Sequence, residues 1–257
     1  MTASDSEHQT LQLPGGGRLV YQSQSGRGPG LVFCPGFQSD MGGTKAEALA
    51  DWCRRNDRAY TRFDYRGHGL SGGDFADCTI GMWRDDVLAI LDQVAGGPQV
   101  LVGSSMGGWL ALLAALARPQ RVAGLLLIAP APDFTERLYR ERLDGDQLRA
   151  LERQGYCEMV SAYDPEPYII TRKLVEEARS HQLLGAGIAI DVPVRVIHGQ
   201  RDDAVPWQLS LDLLDRLRAT DVELQLVKAG DHRLSEPADL RRLSRTLEAL
   251  FEESIKA

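Results

Sequence analysis

The sequence lacks the features that mark secreted or nucleic-acid-binding proteins. Among its 257 residues there are only four cysteines, Cys34, Cys53, Cys78 and Cys157, and they form no C-x-x-C pair. This spacing supports neither a zinc site nor the disulfide framework of a secreted protein, so we expect free thiols. The net charge of −7 disfavours a nucleic-acid partner, because the phosphate backbone carries the same sign.

Long apolar runs and targeting signals are also scarce. The apolar run from Trp109 to Ala117 is too short to span a bilayer, which takes about 20 residues, so we expect no stable membrane insertion. The first eight residues, MTASDSEH, have no basic region followed by an apolar one, and they are acidic where a transit peptide is basic. The sequence therefore predicts a cytoplasmic protein and leaves its oligomeric state open.

Motifs for nucleotides and metals are missing as well. Residues 36–45 contain Gly-Gly-Thr-Lys without the G-x-x-x-x-G-K-[ST] spacing of a phosphate-binding loop. No G-x-G-x-x-G follows the first strand, and there is no H-E-x-x-H. The sequence therefore implies no cofactor and no metal.

Apolar strands and amphipathic helices alternate along most of the chain. The predicted strands are 11–14, 18–23, 31–34, 60–64, 99–102, 122–128, 194–197 and 222–227, and the predicted helices are 44–56, 82–94, 108–117, 208–217 and a C-terminal segment. Strands that are apolar throughout indicate a sheet buried on both faces. We therefore predict an α/β fold with a mostly parallel central sheet and helices on both of its faces.

Residues 133–190 interrupt this alternation. They carry mixed charges and helical periodicity but no convincing strand. We therefore predict an α/β core formed by residues 1–132 and 191–257, with residues 133–190 as an all-helical insertion, here called the insert. The ligand crevice of such a sheet lies at the carboxyl ends of its strands, so an insertion there would form a lid.

A G-x-S-x-G motif, Gly103-Ser104-Ser105-Met106-Gly107, lies between a predicted strand and a predicted helix. This is the context of a nucleophile elbow, in which the central serine projects from a sharp turn at a helix N-terminus. The glycines leave room for the turn, because a Cβ at either place would collide with neighbouring backbone. Ser105 is therefore the candidate nucleophile. The alternative is a strand–helix turn that merely uses small residues.

A serine hydroxyl needs a base to accept its proton. In hydrolases built on such a sheet, the chain order is nucleophile, acid, histidine, and His232, on the loop after the last strand, meets that order well. The other four histidines lie in the polar N-terminal tail, in a glycine-flanked turn, in the insert and at a strand end where a packed, hydrogen-bonded ring is expected; they are His8, His68, His181 and His198.

The orienting acid is expected in the turn after strand 194–197. Two carboxylates, Asp202 and Asp203, stand there, and the position of Asp202 in the turn favours it. Its role would be to hold the tautomer of His232 and to stabilise the imidazolium. Alternatively, these aspartates cap the helix that begins near residues 206–207, a role that suits Asp203.

Acyl transfer also needs N–H donors for the oxyanion. One donor is expected from the residue after the nucleophile, here Met106, and a second from the loop after the third strand. In Pro35-Gly36-Phe37 the glycine allows a close approach of the backbone, so the Phe37 N–H is the predicted second donor.

Several further segments are similar to known proteins: residues 35–37 with 43–46, 62–65, 83–87, 103–110, 198–207 and 231–233. Through them the chain resembles the α/β-hydrolases, and among them the mitochondrial palmitoyl-protein thioesterases of the abhydrolase-domain group, which also act as acyl-glucuronide esterases. The resemblance implies that Ser105, Asp202 and His232 are nucleophile, acid and base. We expect the chain to depart from this group in lacking a mitochondrial targeting segment, and its insert is much less similar.

A second motif, Arg66-Gly67-His68-Gly69-x-Ser71, also recurs in the α/β-hydrolases. Its tight geometry needs the glycines whatever the chemistry. We therefore interpret it as a structural turn without a role in the reaction.

The sequence thus predicts a cofactor-independent serine hydrolase that cleaves an ester or thioester, of a small molecule or an acylated protein, through an acyl-enzyme on Ser105. A serine peptidase, a C–C hydrolase and a binding protein without turnover remain alternatives. The insert holds apolar residues suited to cover an acyl chain and arginines suited to an acidic leaving group such as a glucuronide, although simple packing and solvated ion pairs explain both sets. The apolar set is Phe134, Leu138, Leu143, Leu148, Met159, Ile169 and Ile170, and the arginines are Arg137, Arg140, Arg142, Arg149, Arg153 and Arg172.

Overall fold

A computed structural model describes residues 7–160 and 167–254 of the chain. Its strands are β1 (Gln9–Gln12), β2 (Arg18–Gln24), β3 (Arg27–Cys34), β4 (Arg58–Phe63), β5 (Gln99–Ser104), β6 (Val122–Ile128), β7 (Tyr156–Met159), β8 (Tyr168–Thr171), β9 (Val194–Gly199) and β10 (Val222–Val227). Its helices are α1 (Thr44–Arg55), α2 (Ile80–Gln93), α3 (Met106–Ala117), α4 (Phe134–Glu141), α5 (Gly145–Gln154), α6 (Arg172–Ala178), α7 (Gln208–Arg216) and α8 (Pro237–Ser254). Strands β6 and β10 have the predicted bounds, and the other predicted elements lie within a few residues of theirs.

Eight of the strands form one sheet in the order β1-β2-β4-β3-β5-β6-β9-β10. The pairs β1–β2 and β2–β4 are antiparallel, whereas the pairs from β4 to β10 are parallel. The predicted mostly parallel sheet is thus confirmed. Because β3, β5, β9 and β10 run in the same direction, the loops that follow them meet at one edge of the sheet.

Side chains of the central strands alternate between two apolar layers, as the pleat of a strand requires. In β5, Val100 and Val102 pack with α1 and α8 on one face, while Leu101 packs with α2 and α3 on the other. The helices therefore cover both faces, as predicted. Within the described ranges, no helix is both long enough and apolar enough to cross a membrane.

The insert contains β structure that the sequence analysis did not predict. Strands β7 and β8 pair with each other in antiparallel register, with Cys157 opposite Ile170, and they share a small apolar core with Leu143 and Leu151. The prediction of an all-helical insert is therefore wrong. Each strand is only four residues long, too short for alternation to stand out, and each is stabilised by pairing with the other. The division of the chain at residues 132 and 190 stays a prediction.

All four cysteines are buried free thiols. Burial raises the pKa of Cys34 and of Cys53 to about 12 and that of Cys78 to about 11. These thiols stay protonated at neutral pH, so they behave as small apolar side chains of the core.

Candidate active site

The turn between β5 and α3 is strained at Ser105. This residue has φ +54° and ψ −119°, a combination that a residue with a Cβ rarely adopts. The flanking glycines permit a close approach of neighbouring backbone. A Cβ on Gly103 would lie 2.4 Å from the Gly107 carbonyl oxygen, and one on Gly107 would lie 2.0 Å from the Cys34 carbonyl oxygen. The strand–turn–helix arrangement expected from the motif is present, and steric contact explains both glycines.

A line of hydrogen bonds joins the three residues expected to act together. Ser105 Oγ lies 3.1 Å from His232 Nε2, and His232 Nδ1 lies 2.7 Å from Asp202 Oδ2. An ionised carboxylate only accepts hydrogen bonds, so Nδ1 carries the proton of the neutral imidazole and Nε2 accepts from the serine hydroxyl. The three side chains meet because β5, β9 and β10 end at the same edge of the sheet.

Asp202 is fixed on both of its oxygens. Its Oδ1 accepts hydrogen bonds from the backbone N–H groups of Ala204 (2.9 Å) and Val205 (2.7 Å), and its Oδ2 accepts from His198 as well as His232. Burial alone would raise the pKa of Asp202, but the bonds from His198, His232 and Val205 hold that pKa below its usual range. The carboxylate therefore stays ionised beside the His232 imidazole.

His198 is a second imidazole on this carboxylate, a contact that the sequence analysis missed. Its Nε2 lies 3.1 Å from both Asp202 Oδ2 and the Val205 carbonyl, so it donates, while its Nδ1 accepts from Ser210 Oγ at 2.7 Å. The ring is fully buried, as expected for a packed histidine. The sequence held one signal for this contact, because His198 and Asp202 lie only four residues apart on the two sides of a turn.

Asp203, the other candidate acid, lies on the wall of the cavity in front of Ser105. Its carbonyl oxygen accepts a hydrogen bond from Arg142 Nη2 at 2.7 Å. Helix α7 begins at Gln208 with Trp207 as its N-cap and has no side-chain cap, so neither aspartate caps it. Asp202 instead bonds the backbone N–H groups of Ala204 and Val205 in the turn.

The two predicted oxyanion donors, Phe37 and Met106, both line this cavity. Among the described residues, neither backbone N–H donates a hydrogen bond to another protein group. A Cβ on Gly36 would lie 3.6 Å from Ser105 Cβ, so the loop after β3 runs alongside the serine. That distance is ordinary van der Waals contact, and the close approach inferred from Gly36 does not itself demand a glycine.

The cavity has a volume of about 870 Å³ and is bounded by two different walls. The core contributes Ser105, His232 and several charged groups, whereas the insert contributes mostly apolar groups. Of the apolar set considered from the sequence, Phe134, Met159 and Ile170 line the cavity, together with Tyr168. Leu143 and Leu148 instead pack inside the insert, and the side chain of Leu138 lies outside the described residues.

Of the insert arginines considered from the sequence, Arg137 and Arg142 line the cavity. Arg137 forms an ion pair with Asp212 at 3.2 Å, and Arg142 donates to the Asp203 carbonyl. Arg149 pairs with Asp146 away from the cavity, which is the solvated arrangement considered as the simpler explanation. The side chain of Arg140 lies outside the described residues.

Lys45, at the start of α1, binds the loop that carries His232. Its Nζ donates to the Arg233 carbonyl at 2.5 Å and approaches Ser235 Oγ at 3.4 Å. Burial and the nearby Arg233 charge lower the pKa of Lys45 to about 8. This cross-link, which the sequence analysis did not foresee, joins the loops after β3 and β10.

The remaining histidines of the described chain serve elsewhere. His181 Nε2 lies 2.7 Å from Glu177 Oε1 within the insert, and His68 contacts the backbone of Gln38 near the cavity. In residues 7–160 and 167–254, no group of three or more His, Cys, Asp or Glu side chains is arranged to hold a metal ion.

Comparison with known proteins places this geometry in a family. The family model Hydrolase_4, described as serine aminopeptidase, S33, matches residues 29–153. The chain is 45% identical to the palmitoyl-protein thioesterase ABHD10, mitochondrial, of Mus musculus over 235 residues. That alignment covers 91% of this chain and 79% of the relative.

Two solved structures are similar over almost the whole chain. Alpha/beta hydrolase domain-containing protein 10 from mouse superposes with a TM-score of 0.89 at 42% identity, covering 96% of this chain and 99% of that one. A protein from Agrobacterium vitis S4 superposes with a TM-score of 0.91 at 39% identity, covering 95% of this chain and 98% of that one. The α/β-hydrolase fold is thereby confirmed.

These relatives overturn one prediction. The mouse relative is named a mitochondrial protein, as are relatives from four other mammals, so the prediction of a cytoplasmic protein is wrong. It depended on the composition of the first eight residues. A hydrolase domain keeps the same fold and chemistry in either compartment, so neither property records the location.

The similarity also establishes the general activity. Relatives named as thioesterases share more than 40% identity with nearly the whole chain, and the family model is that of serine hydrolases. The protein is therefore an enzyme, a serine hydrolase of carboxylic esters or thioesters. The chain belongs to the α/β-hydrolase family, in the group of the ABHD10 palmitoyl-protein thioesterases.

Proposed function

We propose that Ser105, His232 and Asp202 form a catalytic triad that hydrolyses long-chain acyl thioesters of proteins. The observation that carries this proposal is the line of hydrogen bonds from Ser105 Oγ through His232 to Asp202 at the base of a partly apolar cavity. A serine becomes a competent nucleophile only when an adjacent base accepts its proton and a third group orients that base.

In the first half-reaction, Ser105 Oγ attacks the acyl carbonyl carbon while its proton passes to His232 Nε2. The carbon–sulfur bond then breaks, and the leaving thiol takes the proton from His232. In the second half-reaction, water attacks the acyl-enzyme and gives its proton to His232, which returns it to Ser105 as the carboxylic acid leaves. Throughout, the ionised Asp202 stabilises the imidazolium without accepting the proton.

We assign the oxyanion hole to the N–H groups of Phe37 and Met106. Both residues line the cavity, and neither amide is engaged by another group of the described chain. The Met106 amide lies at the N-terminus of α3, where the helix dipole favours negative charge. Loss of one such donor typically lowers kcat by about 10²–10³-fold.

The insert is proposed to act as a lid that holds the acyl chain. Phe134, Met159, Tyr168 and Ile170 give its cavity wall an apolar surface. A long hydrocarbon chain gains roughly 0.8 kcal/mol for each methylene that it buries, so such a wall favours long acyl groups. The name of the ABHD10 relatives, palmitoyl-protein thioesterase, supports the same substrate class. Acyl-glucuronides, the other substrates implied by the family resemblance, are the compact alternative.

The decisive experiment compares kcat/KM for a long-chain and a short-chain acyl thioester, with Ser105→Ala as the blank. We expect a preference for the long chain and, in the variant, a loss of at least about 10⁴-fold. Labelling with a fluorophosphonate, read by intact mass, should add one adduct to the wild type and none to Ser105→Ala. Activity that survives in Ser105→Ala would contradict the triad, and a flat chain-length profile would contradict the long-chain substrate and favour compact esters.

A serine peptidase is the second candidate, because the matching family model is described as serine aminopeptidase, S33. The carboxylates of Asp40, Asp203 and Glu236 on the cavity wall suit the free amine of a peptide N-terminus. The test is hydrolysis of aminoacyl p-nitroanilides beside the thioesters. Turnover of the anilides at a kcat/KM comparable with that of the thioesters would favour the peptidase.

A further inference from the structure

The turn of residues 64–71, interpreted above as structural only, holds the loop that carries Phe37. We call this turn the brace, and residues 35–41 the oxyanion loop. The brace binds the oxyanion loop at its beginning, middle and end: the Tyr65 hydroxyl donates to the Pro35 carbonyl (3.3 Å), the Gln38 N–H donates to His68 Nε2 (3.2 Å), and the Met41 N–H donates to Asp64 Oδ1 (2.7 Å).

The middle contact lies directly beside the proposed oxyanion donor. Gln38 follows Phe37 in the chain and has φ +51°, in the left-handed region that residues with a Cβ rarely adopt. Such backbone costs free energy and persists only where the surroundings hold it. The bond from the Gln38 N–H to His68 fixes the peptide group between Phe37 and Gln38, and thereby the direction of the Phe37 backbone.

His68 is suited to accept this bond. Its Nδ1 lies 3.3 Å from the Arg66 carbonyl and therefore donates, which leaves Nε2 as an acceptor. The ring is 4% exposed and packs edge-on against Tyr65, Phe75 and Trp83. Burial lowers the pKa of His68 to about 4, so the neutral, accepting form prevails at physiological pH.

The brace is itself anchored to α2. The backbone N–H of Arg66 donates to Asp86 Oδ2 at 2.9 Å, its guanidinium pairs with Asp86 Oδ1 at 2.6 Å, and Trp83 Nε1 donates to the Arg66 carbonyl at 3.0 Å. Asp86 is fully buried. A Cβ on Gly69 would lie 2.2 Å from Asp64 Oδ2, so the glycine lets the brace close around that carboxylate. The acceptor on His68 therefore has a fixed position.

We propose that His68 is a positioning residue for hydrolysis: by accepting the Gln38 N–H, it aims the Phe37 N–H at the oxyanion. This inference depends on the proposed role of Phe37 and goes beyond it. Since His68 acts through the backbone on a bond made in the transition state, its loss should lower kcat and leave KM nearly unchanged.

The test uses two polar substitutions of similar character. In His68→Gln the amide oxygen reaches the position of Nε2 and still accepts from Gln38. In His68→Asn the shorter amide reaches only the position of Nδ1, so the acceptor is lost. Each variant is measured for kcat and KM with the preferred acyl thioester. Two dissociation constants are added: one for a trifluoromethyl ketone, which forms an oxyanion on Ser105, and one for the product carboxylic acid.

We expect His68→Asn to lower kcat by about 10–100-fold, as a donor displaced by an ångström or less would do, with KM changed less than about threefold. The ketone should bind more weakly by a similar factor, while binding of the product acid stays unchanged. His68→Gln should remain within about threefold of the wild type in every constant. The ratio of the two dissociation constants does not depend on the folded fraction, so partial misfolding leaves the test intact.

Several outcomes would overturn the inference. One is an unchanged ratio of the ketone to the acid dissociation constant in His68→Asn. An equal loss of affinity for both ligands gives this result and would indicate a purely structural role. A loss in His68→Gln as large as in His68→Asn would also overturn it. Ser105→Ala distinguishes a failure of the proposed triad from a failure of the positioning role of His68. Activity in Ser105→Ala would contradict the triad. An inactive Ser105→Ala together with an unaffected His68→Asn would contradict only the positioning role.

Discussion

The two walls of the cavity are built in different ways. On the core side, Asp202 accepts four hydrogen bonds and the oxyanion loop is held at three points, so each reactive group has a defined position. On the insert side, Phe134, Met159, Tyr168 and Ile170 present apolar surface, and the aromatic rings meet Phe37 edge-on without a directional bond.

The core wall is suited to the proposed reaction, and the insert wall is suited to the choice of substrate. The proposed reaction at Ser105 requires atoms placed to within a few tenths of an ångström, which hydrogen bonds at the strand ends provide. Covering an acyl chain requires only apolar area, which many side chains supply equally well. We therefore expect changes on the core wall to affect kcat strongly and changes on the insert wall to affect substrate preference more mildly.

The largest effect is expected from the core carboxylate. Asp202→Asn should lower kcat by about 10⁴-fold, because an amide no longer selects the His232 tautomer that accepts from Ser105. The measurement is kcat with the preferred thioester. Asp203→Asn is the matched control, one residue away on the same turn, and we expect a change of no more than about threefold. Equal losses in the two variants would contradict the assignment of the acid.

A smaller and selective effect is expected from the insert wall. Phe134→Ala removes apolar surface from the cavity and should lower kcat/KM for a long-chain thioester by about tenfold while leaving a short-chain thioester nearly unaffected. Leu148→Ala, in the same insert but away from the cavity, is the control and should affect both substrates equally. An equal effect of Phe134→Ala on both chain lengths would refute the proposed acyl contact.

The closed packing of the core wall predicts a pH dependence of stability. Burial lowers the pKa of His68 to about 4 from an ordinary value near 6.5, so the folded protein keeps the ring neutral while the unfolded chain binds a proton. This contribution is present above pH 6.5 and is lost as the pH falls towards 4.

Between pH 7 and 4.5 the wild type should therefore lose about 2 kcal/mol more stability than His68→Gln, or about 5 °C in Tm. The measurement is the Tm of the wild type and of His68→Gln at several pH values between 7 and 4.5. Asp64 and Asp86 titrate in both proteins, so their contributions cancel in the difference. A constant difference in Tm across the range would show that His68 is not held neutral.

The smallest expected effect concerns thiol reactivity. Cys34 and Cys53 lie in the core with pKa values raised to about 12 by burial, whereas Cys157 lies in the insert. When native protein is treated with iodoacetamide at pH 8, we expect its cysteines to be labelled slowly. Cys157 should be labelled first, because the small apolar core of the insert opens more often than the large core of the sheet. Peptide mass spectrometry reads the order. Labelling of Cys34 first would contradict the view of a rigid core beside a looser insert.

The sequence was most informative where structure is local. The alternation of apolar segments predicted β6 and β10 to the residue, and the motif around Ser105 predicted the strand, turn and helix that hold it. Chain order selected His232, and a position in a turn selected Asp202 over Asp203. Each of these inferences depends on near neighbours in the chain or on one known order of residues.

Such patterns did not predict the contacts that form only when the chain folds. The pairing of β7 with β8 went unrecognised because each strand is short and gains its partner only in the folded chain. The link from Lys45 to Arg233 and the bond between His68 and Gln38 join segments that are far apart in the chain, and the bond of His198 to Asp202 depends on how the turn after β9 folds. The cellular location could not be predicted from these patterns, because the packing of a protein is the same in either compartment.

The sequence by itself thus determined the fold class, the strained turn at Ser105 and the chain order of the three proposed catalytic residues, because these depend on periodicity, local sterics and position along the chain. Only the tertiary structure decided which carboxylate oxygen meets His232, how the brace holds Gln38 and which residues of the insert face the cavity. Those features depend on the parallel sheet, which gathers the ends of β3, β5, β9 and β10 at one edge and makes neighbours of residues far apart in the chain.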